Sequence, residues 1–331
     1  MLKVAIVGLG SIAPVHLQAI AAYRDAHLVA GCDIREERRG LLPDTARFYL
    51  NYEDMAQKEE LDAVHICLPH WLHYPAASFF AGKGVHVFLE KPPALSAEDT
   101  RRLSALEEEH GARICVCLQN RFNETSQALL SELAGGAWGP VRSLRGLVLW
   151  QRAKAYYEAG PWRGKQAESG GGCLINQAIH TLDLLLYFAG APLQSLRANY
   201  LQLIDLGLDV EDSLMAKLRF ENGAEGLMIA TIANDRDDDV EIRVVCEKAE
   251  FLIQGRELWR IQEGKRTLLA QNGVPTTGKA CYGNSHAKLI ALFYDALQGG
   301  EGRYPHPADS LPVMQALEDI RISSRRKDTM I

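Results

Sequence analysis

The chain has 331 residues, 47% hydrophobic and 24% charged, with a net charge of −6. That length exceeds what one core usually serves, so two domains are expected, and the composition is that of a globular protein. No basic patch points to nucleic acid, and no apolar run is long enough to span a bilayer. The N-terminus enters a strand without a signal-peptide pattern. The seven cysteines are dispersed with no Cys-x-x-Cys, so reduced thiols in a cytoplasm are expected.

The first strand is Leu2 to Val7. Gly8-Leu9-Gly10-Ser11-Ile12-Ala13 follows and fits G-x-G-x-x-A. Gly8 permits the tight turn, Gly10 lets the backbone approach a pyrophosphate, and Ala13 allows close helix–strand packing. The helix expected from Ser11 to Tyr23 directs its first amides, at Ser11 and Ile12, to that phosphate. The second strand, His27 to Cys32, ends at Asp33, whose carboxylate suits ribose hydroxyls and repels a 2′-phosphate. NAD is therefore favoured, with NADP possible because Arg35, Arg38 and Arg39 soften the preference.

Strand and helix go on alternating. A charged helix is expected at 35–41, a strand at 47–50, a helix at 52–58, a strand at 63–68 and a helix at 75–82. The apolar strand Val85 to Leu89 ends in Glu90-Lys91-Pro92. A lysine at the C-terminal end of a buried strand stands where open α/β sheets bind ligands, and a Lys-Pro bond can be cis. Ser96 with Asp99 caps a helix reaching Glu109, and 113–119 is a further strand. These β-α-β units imply a doubly wound parallel sheet with helices on both faces.

After Asn123 the character changes, giving domains of 1–122 and 123–331. One more helix runs to Leu133. Strands then dominate, at 141–150, 196–204, 213–220, 224–232 and 240–246, with a hairpin turn at Glu221-Asn222-Gly223. They imply an antiparallel sheet covered on one face. The acidic segment 235–239 reads as a solvated loop. Gly170-Gly171-Gly172 precedes a helix on which Asn176, His180 and Asp183 share one face. His180 suits a general base, and Asp183 suits a hydrogen-bonding role in the interior.

These landmarks, with Leu68-Pro69-His70-Trp71-Leu72-His73 and Val210-Glu211-Asp212, resemble the Gfo/Idh/MocA oxidoreductase family over nearly the whole chain. The resemblance implies an N-terminal Rossmann domain and a C-terminal α+β domain with a large, mostly antiparallel open sheet. It also implies subunit contacts on that sheet's outer face, giving a homodimer or homotetramer. The implied activity is NAD(P)-dependent hydride transfer to or from a secondary hydroxyl or ketone of a sugar, sugar derivative or cyclitol.

Carried over by residue, Lys91 matches the lysine that touches substrate hydroxyl and nicotinamide ribose, and His180 matches the catalytic histidine. Asn176 falls where many members have aspartate; an amide orients a hydroxyl but cannot take a proton. Leu68, Pro69, His70, His73 and Glu90 are implied beside the cofactor, Leu68 and His70 replacing the common Thr and Asn. Trp162, Arg163, Gln119 and Arg121 are candidate substrate contacts, since sugars call for bidentate donors and an apolar ring face; surface or interdomain pairing is the alternative for the two arginines. His70 and His73 lack a third ligand of convincing spacing, so no metal is expected. Two further readings are a member that holds NAD tightly and drives elimination or epimerisation through transient oxidation, and a sugar-sensing regulator without catalysis.

Overall fold

The structure is a computed structural model that describes residues 1–274 and 284–325. It divides into two compact units, Met1–Gln119 with Pro275–Leu311, and Asn120–Val274 with Pro312–Ile331.

The first unit opens with β1 (Leu2–Val7), α1 (Ala13–Ala22), β2 (Ala26–Cys32), β3 (Arg47–Tyr49) and α2 (Tyr52–Lys58). It continues with β4 (Ala63–Ile66), α3 (His73–Ala81), β5 (His86–Leu89), α4 (Ala97–His110) and β6 (Ile114–Val116). The six strands form one parallel sheet in the order β3-β2-β1-β4-β5-β6. Every residue of β4 is buried, as expected of a strand covered on both faces. Ser96 Oγ accepts the Asp99 amide at 3.0 Å and starts α4. The segment expected as a helix at 35–41 is instead a 3₁₀ helix, Glu36–Leu41. It buries no residue, so no apolar face stabilises a longer α-helix there.

The second unit contains α5 (Glu124–Ala134), β7 (Val141–Leu149), α6 (Lys154–Glu158), α7 (Gln166–Ser169) and α8 (Ile179–Ala189). Then come β8 (Leu193–Leu201), β9 (Ser213–Phe220), β10 (Glu225–Thr231), β11 (Glu241–Cys246), β12 (Glu250–Gln254), β13 (Glu257–Gln262) and β14 (Lys265–Gln271). They form an eight-stranded sheet in the order β14-β13-β12-β11-β7-β10-β9-β8. Neighbours are antiparallel except β7 and β10, which run parallel. Along β9, Leu214, Ala216, Leu218 and Phe220 are buried while Met215, Lys217 and Arg219 are exposed, so one face packs and the other is open. Gly223, with φ of 83°, closes the β9–β10 hairpin.

The acidic segment 235–239 is a loop and is mostly exposed, as expected, but it is tied down at one point. Asp237 pairs with the buried Arg152 at 2.7 Å and accepts the Gln151 amide at 2.9 Å. Two last helices follow, α9 (Ser285–Leu297) and α10 (Pro307–Arg325). A single domain running from 123 to 331 makes no allowance for α9, which returns to the first unit and packs on α1. Six cysteines are buried and unpaired; the seventh, Cys281, lies outside the described residues. No helix among the described residues is long and apolar enough to cross a membrane.

Candidate active site

The glycine turn is shaped for a dinucleotide. Gly8 has φ of 92°, and a Cβ there would come within 2.5 Å of the Cys67 carbonyl oxygen, so only glycine fits. A Cβ on Gly10 would meet nothing within 4 Å, which leaves the space a pyrophosphate requires. Ala13 is fully buried. The helix starts at Ala13, so Ser11 and Ile12 belong to the turn that leads into it. Ile12, at the N-cap, supplies no side-chain bond; in the first turn Pro14 has no N–H, and the Ala13 and Val15 amides donate to the carbonyls of Gly10 and Ile12.

Asp33 follows β2 and is buried. Its carboxylate accepts the amides of Leu9 and Arg35, both at 2.9 Å, and the Arg35 guanidinium at 3.1 Å. Burial alone would raise the Asp33 pKa, but the Arg35 side chain and these amides outweigh it and hold the carboxyl below its usual range. Asp33 thus ties the glycine turn to the end of β2, with Arg35 drawn onto it. These residues fit a dinucleotide.

β1, β4 and β5 are parallel neighbours, so Gly8, Leu68 and Lys91 leave the sheet at one edge. The sheet order reverses there, between β1 and β4. The Lys91–Pro92 bond is cis, and Lys91 is half-buried. His73 lies between the carbonyl oxygens of Leu68, at 2.7 Å, and Pro92, at 2.6 Å, and so joins the two loops at this edge. His70 is buried beside it, the two rings 5.7 Å apart.

Glu90 is only 7% exposed and sits at the end of a buried relay. Its Oε1 is 3.0 Å from His16 Nε2 and 3.6 Å from His286 Nε2, while Oε2 accepts the Lys91 amide at 3.2 Å. His16 Nδ1 is 2.8 Å from His65 Nδ1, and His65 Nε2 is 2.6 Å from the Tyr294 hydroxyl. Burial lowers the pKa of His16, against the pull of Glu90, and holds His65 well below its usual value. Despite its burial, the Glu90 carboxyl is held well below its usual range by His16 and His286.

With both rings neutral, one proton order satisfies the relay. A carboxylate only accepts, so His16 Nε2–H donates to Glu90 and its Nδ1 accepts from His65 Nδ1–H. His65 Nε2 then accepts from the Tyr294 hydroxyl. Donor atoms of His16, Glu90 and His286 lie within 4.8 Å of one another, the one such grouping among the described residues. No residue pattern announces this cluster, because its members come from distant segments of the chain.

In the second unit, Glu211 accepts the amides of Gly172 at 2.8 Å and Leu174 at 3.0 Å. A Cβ at Gly172 would overlap the Glu211 carbonyl oxygen, which is why the run is glycine. Burial pushes the Glu211 pKa up against those amide bonds. The next turn, Leu174–Ala178, is a π-helix, a form that recurs at functional sites. Asn176 Nδ2 donates to the carbonyls of Gly171 and Gly172, both at 3.2 Å. His180 stands in the first turn of α8 and is 6% exposed.

Asp183, 2% exposed, forms a fork with Arg121, with N–O distances of 2.6 and 2.8 Å. Arg121 also lies 4.8 Å from the Tyr187 ring. What the structure shows of Arg121 is thus an ion pair, in keeping with the interior role read for Asp183. Trp162 and Arg163 share a 3₁₀ turn, Pro161–Gly164. Gln119 is buried at the end of the first unit, where its Oε1 is 3.5 Å from Cys117 Sγ.

Together, the glycine turn, the acidic residue after β2 and the parallel sheet define an NAD-binding oxidoreductase. Residues 2–118 match the family described as "Oxidoreductase family, NAD-binding Rossmann fold", and residues 127–252 match the "GFO/IDH/MocA C-terminal domain". The chain belongs to the Gfo/Idh/MocA oxidoreductase family. It is 27% identical over 325 residues to D-glucoside 3-dehydrogenase of Escherichia coli, spanning 90% of this chain and 88% of that protein. It is 25% identical over 234 residues to myo-inositol 2-dehydrogenase of Thermotoga maritima, spanning 69% and 67%. The WlbA dehydrogenase of Bordetella pertussis, crystallised with NADH and UDP-GlcNAcA, matches with a TM-score of 0.85 and 28% identity, covering 98% of this chain and 97% of that one.

Proposed function

We propose that the protein transfers hydride between NAD and a secondary hydroxyl or ketone of a sugar, sugar derivative or cyclitol. Lys91 carries this reading. It stands two residues after β5, at the carboxyl edge where the glycine turn after β1 also emerges. The relatives named for glucoside, inositol and a nucleotide sugar acid support the substrate class. When bound, NAD supplies the hydride acceptor. His180 takes the proton of the reacting hydroxyl as a general base. Lys91, as an ammonium, holds the substrate oxygen and stabilises the charge that develops on it. Asn176 and Trp162 orient the sugar.

Two finer points belong to the same reading. The open face of the eight-stranded sheet, with Met215 exposed on it, serves as a homo-oligomer contact. Six unpaired buried cysteines fit a reducing cytoplasm.

The test is a panel of sugars, sugar acids, nucleotide sugars and cyclitols offered with NAD, and of the matching ketones offered with NADH. Cofactor turnover with at least one member is expected. No turnover across the panel in either direction would overturn the proposal.

A further inference from the structure

The second unit carries a stack of alternating rings and guanidinium groups. Arg152 lies 4.9 Å from the Trp150 ring and 5.6 Å from Tyr156; Arg163 lies 4.7 Å from Tyr156 and 5.1 Å from Trp162. The two arginines differ in their partners. Arg152 is buried, bonds the Gln151 carbonyl, and is neutralised by Asp237 at 2.7 Å. Arg163 is half-buried, and its hydrogen bond is a long one, 3.5 Å to the Tyr156 carbonyl. No carboxylate among the described residues pairs with it.

A guanidinium held against two rings has already given up much of its rotamer freedom. Its planar fork of N–H donors matches a carboxylate or phosphate. Gly160 makes the room, because a Cβ there would overlap Nη1 of Arg163.

A second observation points to the same place. Gln177 Nε2 donates to the Tyr156 hydroxyl at 3.1 Å, while its Oε1 is buried without a partner. Gln177 is 8% exposed and lies in the π turn three residues before His180. A buried acceptor left unpaired is costly, and a substrate hydroxyl would satisfy it. Tyr156 thus holds an unpaired cation against its ring and an unpaired acceptor on its hydroxyl.

We infer that the substrate is an anionic sugar. Arg163 receives its carboxylate or phosphate, and Gln177 Oε1 accepts one of its hydroxyls. The inference rests on the reading of a carbohydrate substrate and adds the charge.

The test is calorimetric binding to the NADH-saturated protein, with hydride transfer followed in parallel. Glucuronate against glucose isolates a carboxylate, and UDP-glucose against glucose isolates a diphosphate. One anionic member should bind about ten- to hundredfold more tightly than glucose, the scale of a hydrogen bond to a charged group. Arg163→Gln should remove that preference. Arg163→Lys should keep only part of it. Gly160→Ala, which displaces the guanidinium but keeps the charge, should also reduce it.

Equal binding of glucose and both anions, no binding by any of the three, or a preference that survives in Arg163→Gln would each overturn the inference. Anion-selective binding without cofactor turnover would count against the oxidoreductase reading and leave the inference standing. Turnover with glucose preferred over both anions would do the reverse.

Discussion

Replacing Glu90 with glutamine should destabilise the first unit without changing its shape. The carboxylate meets His16 Nε2 at 3.0 Å, His286 Nε2 at 3.6 Å and the Lys91 amide at 3.2 Å. A glutamine whose oxygen stays toward His16 and His286 must turn its NH₂ toward the Lys91 amide, setting donor against donor. Losing a hydrogen bond to a charged group costs about 1.5–3 kcal/mol, and breaking a buried pair outright costs about 3–5 kcal/mol. The retained acceptor puts Glu90→Gln at about 2–4 kcal/mol, or a thermal midpoint about 5–10 °C lower for a unit of this size. Folding holds the Glu90 carboxyl below its unfolded value. Its contribution is therefore complete above about pH 4.3 and is lost as pH falls through the folded value. Urea unfolding of wild type and Glu90→Gln from pH 7 to pH 3 should show a constant gap at neutral pH that narrows on the acid side. Equal stability at pH 7, or a gap that widens as pH falls, would refute the reasoning.

Other outcomes follow from the same geometry. Asp33→Ser should narrow the preference for NAD over NADP, measured by titrating both cofactors; tighter NADP binding by wild type would remove the role of Asp33. His180→Ala should lower turnover about 10²–10⁴-fold with NAD affinity nearly unchanged, and near-normal turnover would exclude it as the base. Lys91→Met should fold and bind NAD with a modest loss yet give almost no single-turnover hydride transfer. Lys91→Arg should also be poor, because a planar fork cannot replace a compact point charge. Asp183→Ala should cost about 3–5 kcal/mol in chemical denaturation, since it removes the buried carboxylate that forks the Arg121 guanidinium; Arg121→Met in the same background should recover part of that loss.

Local chemistry made much of the first unit legible. β1, the Gly8 turn, α1 and the strand before Asp33 announce themselves within a few residues, and α2 and β9 occupy the spans their patterns imply. What the sequence hid is long-range. α9 supplies His286 and Tyr294 to a cluster with His16 from α1, His65 from β4 and Glu90 after β5. A histidine inside an apolar strand such as β4 looks like an ordinary core residue until its partners on α9 are placed. β14 is equally silent, because it is mostly exposed and lacks a buried face to enforce alternation. The π turn before His180 has no sequence signature either; the glycines before it and Glu211, far downstream in the chain, fix its start.

Asn176 shows how a departure from a family pattern acquires a physical reason. Its amide donates to two carbonyl oxygens of the glycine run, at Gly171 and Gly172. A carboxylate there would set an acceptor against two acceptors, and only its protonated form could take the same place. Gly172 cannot yield, because its α-carbon lies against the Glu211 backbone and its amide is held by the Glu211 side chain. The amide at 176 and the glycine run therefore belong together, and the asparagine locks the π turn that leads into His180. That arrangement also omits a negative charge one turn from His180. The next residue of the same turn, Gln177, meets the Tyr156 hydroxyl, and the Tyr156 ring in turn holds Arg163, the group inferred to read the substrate's charge.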